Sequence, residues 1–146
     1  MAKSWIRGAG LVLAVYSAWF ALLAMHVFTT WISPVTTLMM LVTLNAPGLA
    51  ALLAALRAPR HRFLLGLTMA PVAAACAVTM NLALAASGLR VDLSGFYDNV
   101  GLFFASAGYG LFVAVLGSAA GAWVGARHAA EIRAAPVTSP AEVRPR

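Results

Sequence analysis

The chain has 146 residues, of which 62% are hydrophobic and 10% charged, and it carries a formal net charge of +6. A soluble domain is nearer about half apolar and a quarter charged, so this composition excludes an ordinary water-soluble protein and points into a bilayer. At about 20 residues per crossing the apolar runs use nearly the whole length, which leaves room for one bundle and for no separate soluble domain.

The charge does not point to nucleic acid. Nine of the ten basic residues fall in three short segments, Lys3 and Arg7, then Arg57, Arg60 and Arg62, then Arg127, Arg133, Arg144 and Arg146. Clusters of this kind beside apolar runs orient the chain and touch anionic lipid. The single cysteine, Cys76, lies in an apolar run and cannot form an intramolecular disulfide, which excludes the four-helix thiol oxidoreductases that work with paired cysteines. One lysine against nine arginines in an alanine-rich chain fits a bacterial, GC-rich source.

In chain order, Met1 to Gly8 leads into a first predicted helix over 9–28, with Trp5 and Trp31 at its two interfaces. The run is long for a signal peptide and lacks an A-x-A cleavage site, so it is expected to stay as a span. Thr29 to Val35, with Ser33 and Pro34, is an uncharged external turn, and a second helix follows over 36–56. The turn Arg57-Ala58-Pro59-Arg60-His61-Arg62 then sets the orientation of every crossing, because positive charge beside a span stays cytoplasmic. A third helix is expected over 63–86, then the longest loop, Ser87 to Asn99, with Arg90, Asp92 and Asp98. The fourth helix, over 100–126, is N-capped by Asp98 or Asn99. The tail 127–146 continues as helix to Pro136 and is then disordered, with three prolines. The expected fold is therefore all-α, an integral membrane four-helix bundle with both termini cytoplasmic in a bacterial inner membrane. No internal repeat of the inverted-transporter kind is visible.

Three groups of residues stand out within the spans. Asn45, Pro47 and Gly48 should kink the second helix, since Pro47 cannot donate to the Thr43 carbonyl and Gly48 eases bending. Pro71 in the third helix sits at a similar distance from the arginine turn, so the two breaks are expected to face each other. With Asn45 and Asn81 as polar groups they would make either a solute site or polar packing, with Thr43, Thr68 and Thr79 nearby. The third group is a stripe of small residues on the fourth helix, Gly110, Ala114, Gly117, Gly121 and Gly125, with Phe104, Phe112, Val115 and Trp123 on the opposite side. Small residues let two helix backbones approach closely, so this is a packing face, within the bundle or between protomers.

No acidic or basic side chain lies within the core of a span, which argues against proton-coupled exporters, pumps and voltage sensors, and against small multidrug exporters with their membrane glutamate. His26 is the one ionisable group inside a span, near the outer interface; His61 and His128 lie at the cytoplasmic side, so no heme pair or metal cluster is expected. Asp92, Asp98 and Asn99 fit no calcium-loop spacing and read as capping and solvated groups. No phosphate loop, nucleophile elbow, HExxH or paired-carboxylate pattern occurs. The sequence therefore suggests a non-enzymatic protein without cofactor: an accessory, assembly or scaffold protein acting through helix-helix association, as a homo-oligomer or within a larger membrane complex. The alternative is a small transporter or channel for a neutral or anionic solute, built around Pro47 and Pro71.

Overall fold

A computed structural model describes residues 2–24, 34–86 and 100–134. They form five helices: α1 (Ala2–Ala24), α2 (Pro34–Leu56), α3 (Arg62–Leu67), α4 (Met69–Ala86) and α5 (Val100–Ala134). Four candidate spans lie on them, Ala2–Leu22, Leu38–Leu56, Arg62–Met80 and Ala107–Ala134, each long and apolar enough to cross a membrane. Several expected features lie outside the described residues: His26 and Trp31, the loop with Arg90, Asp92, Asp98 and Asn99, and the tail beyond Ala134.

Three boundaries differ from those expected. The first helix begins at Ala2 rather than at residue 9, because nothing in Ala2 to Gly8 breaks a helix and Ser4 and Gly8 are buried by packing. The second begins at Pro34, where a proline without an amide hydrogen suits the first helical turn. The expected third helix is two pieces, α3 and α4, parted at Thr68. The cause is Pro71, which has no N–H to give to the Leu67 carbonyl, while the next bond, Val72 N–H to the Thr68 carbonyl, is stretched to 3.4 Å. By contrast α2 carries Pro47 inside an unbroken helical span.

The turn between α2 and α3 ends on His61, whose φ of 49° is the one left-handed value of a non-glycine residue among those described. It reverses the chain tightly enough for α3 to return along both α2 and α5. Beyond Thr68 the chain diverges: α3 lies on α5, whereas the longer α4 touches α5 little and packs mainly on α1. α2 occupies the centre, against α1, α3, α4 and α5.

The buried core is small in side chain and lies toward the arginine end. Val12, Ala50, Ala51, Ala54, Met69, Ala73 and Ala114 form one cluster, with Leu11, Tyr16, Ala70, Val72 and Cys76 packed around it. With alanine at most contacts the helix axes sit close, and dispersion between backbones replaces interlocked large side chains.

Candidate functional site

The closest contact in the bundle is the seam between α2 and α5, and the small-residue stripe lies on it. Gly117 is buried, and a Cβ there would fall on the Gly48 carbonyl, so the two glycines meet backbone to backbone. Two turns earlier, a Cβ at Gly110 would meet Pro47 Cγ at an ordinary 3.8 Å. Further along, a Cβ at Gly121 would stand 2.5 Å from the Leu52 carbonyl oxygen and 2.9 Å from Ala55 Cβ, and one at Gly125 would be 2.5 Å from the Leu56 carbonyl oxygen. Ala114 is fully buried within the same stripe. Positions rise together along both helices, so α2 and α5 run parallel, and the stripe is occupied by the chain's own second helix.

Two further close approaches were not singled out in the sequence. A Cβ at Gly8 of α1 would come within 2.8 Å of Met69 Sδ and 2.9 Å of the Ala50 carbonyl oxygen; Gly8 and Ser4, four residues apart, are both buried. Gly66 of α3 lies against Ser118 of α5, where a Cβ would be 2.5 Å from Ser118 Oγ and 2.8 Å from the Ala51 carbonyl oxygen. The Ser4–Gly8 spacing carried the same signal as the fourth-helix stripe, in a shorter form. Gly66 carried none, since its partner Ser118 is 52 residues away (118 − 66).

The polar groups of the spans are mostly spent on their own helices. Thr43 Oγ1 donates to the Met39 carbonyl at 2.8 Å, Thr79 Oγ1 to Ala75 at 2.8 Å and the fully buried Ser118 Oγ to Ala114 at 2.7 Å. Asn45 Nδ2 donates to the Leu41 carbonyl at 2.8 Å, and its Oδ1 accepts the Tyr109 hydroxyl of α5 at 3.2 Å. Nothing in the residues around Tyr109 marks it as this partner, 64 positions from Asn45. Pro47 is buried, with Gly110 of α5 beside its ring, whereas Pro71 is exposed on α4. Asn81 lies in α4 with its side chain outside the described residues.

At the arginine end, Trp5 Nε1 donates to Thr68 Oγ1 at 3.1 Å, and Thr68 Oγ1 donates in turn to the Leu65 carbonyl at 2.7 Å. Trp5 thus fastens α1 to the break between α3 and α4. Arg57 and Arg60 are exposed, while Arg62 is half-buried and extends to Gly125, where a Cβ would strike its Nη1. Arg127 lies over the Trp123 ring, 4.1 Å from its centroid. Because Gly8 packs at Ala50 and Ala54, and Gly125 at Leu56, the basic residues of all these helices, Lys3, Arg7, Arg57, Arg60, Arg62, Arg127 and Arg133, share one end of the bundle. That end also holds the C-terminus of α2, whose partial negative charge they complement. Comparison with protein-family models, with characterised proteins and with solved structures finds no match.

Proposed function

We propose that this chain is a non-enzymatic integral protein of a bacterial inner membrane, an accessory, assembly or scaffold protein that works by associating with other membrane helices, as a homo-oligomer or in a larger complex. The observation that carries this reading is the fate of the polar groups: Thr43, Asn45, Thr79, Ser118 and Tyr109 are engaged with helix carbonyls or with each other. A solute site needs donors and acceptors left over, and ordinary interhelical glue does not. What the described bundle offers to its surroundings is an apolar exterior, with Leu13, Leu41, Leu82, Leu111, Phe112 and Leu116 exposed. In a bilayer such faces meet lipid or another helix.

The orientation places the basic end and both termini in the cytoplasm, by the excess of arginine and lysine there. The second helix bends at Asn45 to Gly48, because Pro47 removes one backbone donor and crowds the preceding turn.

One observation favours the second reading, a small transporter or channel. Among the described residues α4, beyond the Thr68 break, touches α5 far less than α3 does, so the two helices are not closely packed on one another. The internal use of Asn45, and the exposure of Pro71 where Pro47 is buried, rank it below the first.

Purification in mild detergent distinguishes the two. A stoichiometric second protein, or a homo-oligomer without solute dependence, is the expected result. A homo-oligomer that moves a solute and loses transport on Asn45→Leu while keeping its expression would replace the first reading by the second.

A further inference from the structure

We propose that Arg62 is the anchor of a phosphate-binding site at the basic end of the bundle, taking a phosphate oxyanion such as an anionic phospholipid headgroup carries. The site begins with an unusual placement. Arg57 and Arg60, in the same turn, extend into the open, but Arg62 is drawn back against α5. Its Nη1 is shut off from solvent and has no hydrogen-bond partner. Arginine cannot shed its charge, and a buried cationic N–H without an acceptor is costly, whereas its long stem could carry the head out to water. A site that completes the remaining hydrogen bonds of the guanidinium would offset that cost.

The geometry suits such a site. Gly125 opens the notch that holds Nη1; any side chain there would displace it. Of the guanidinium nitrogens only Nη1 is buried without a partner, and Nε with Nη2 makes the fork that can bind two oxygens of one phosphate. The charge around it favours an anion. Lys3, Arg7, Arg57, Arg60, Arg127 and Arg133 share this end, and Glu131 is the one carboxylate among the described residues. Trp5 and Trp123 are both exposed at the same end, as aromatic residues are where headgroups begin. Diffuse attraction of anionic lipid would treat all the arginines alike, whereas this arrangement singles out one.

The test uses the full chain reconstituted with equal phosphatidylglycerol and phosphatidylcholine, released for native mass spectrometry. A parallel thermal melt in lipid-free detergent compares added inorganic phosphate with added chloride. Phosphatidylglycerol should be retained over phosphatidylcholine, and Arg62→Ala should weaken that retention at least about tenfold, the effect of losing a charged, two-pronged bond. Arg60→Ala should change it less than about twofold, as expected of an exposed charge. Arg62→Lys should behave nearly as badly as Arg62→Ala, because an ammonium is a point charge without the fork. Should Arg62→Ala not fold, the pair Arg62→Lys and Arg60→Lys makes the same comparison. Protection by inorganic phosphate that disappears with Arg62 would uphold the site and make its ligand water-borne. Equal losses at positions 60 and 62 would overturn the proposal, and so would the absence of both lipid preference and phosphate protection.

Discussion

Gly8 and Gly10 stand two positions apart on α1 in opposite surroundings. A methyl at Gly8 would press on Met69 Sδ and the Ala50 carbonyl, while at Gly10 it would meet nothing within 4 Å. Gly10→Ala should therefore raise stability by about 0.5–1 kcal/mol, the ordinary gain from replacing a helical glycine. Gly8→Ala should lower it by about 1–3 kcal/mol through overpacking. Thermal unfolding of both variants in one detergent checks this, and equal shifts would show that α1 does not seat on α2 as described. On α5, Gly121→Leu would drive a branched side chain into the Leu52 carbonyl and Ala55, whereas Val115, 36% exposed, has room for Val115→Leu. The wall at Gly121 is the chain's own second helix, so the expected outcome is a less stable monomer, measured by melting and native mass; a folded monomer that has lost only its oligomer would put the interface between protomers. The period of four made this stripe legible in the sequence. Its partner was not, because small residues say that something approaches closely and not what. Ser4 and Gly8 had the same spacing, but beside Lys3 and Arg7 they read as a charged flank.

At the scale of elements, the helix breaker at Pro71 was visible in the sequence, but its consequence falls elsewhere in the chain. A proline leaves the carbonyl four residues before it, here that of Leu67, without its donor, and the interruption comes at the next residue, Thr68, whose side-chain hydroxyl accepts from Trp5. Pro71→Ala restores the missing donor to Leu67 and should join α3 and α4 into one helix from Arg62 to Ala86. Hydrogen exchange at the Val72 amide reports this directly: its bond, 3.4 Å long with Pro71 in place, should tighten and exchange more slowly. Unchanged exchange would mean that Thr68 and Trp5, rather than the proline, hold the break. The same proline chemistry leaves α2 unbroken at Pro47, where Gly110 receives the ring. That difference depends on the neighbouring helix and is not written in either proline's local sequence. α5 is also longer than a span needs: 35 residues make about 52 Å of helix against about 30 Å of hydrocarbon.

For the whole molecule, hydrophobic runs and charge clusters sufficed to count the four candidate spans, though not the split of the third into α3 and α4, and to gather the basic residues at one end. They could not say that α2 would lie at the centre, or that it would pair in parallel with α5, since apolar runs of similar composition are interchangeable to lipid and only close steric fit ranks their pairings. That pairing gathers Arg57, Arg60 and Arg62 beside Arg127 and Arg133, and makes one strongly basic end, on which the proposed orientation of the four candidate spans rests. Reporter fusions after Arg133 and within Ser87 to Asn99 test this most directly. The account predicts opposite compartments, with the Arg133 fusion cytoplasmic; the same compartment for both fusions would contradict the four-crossing arrangement.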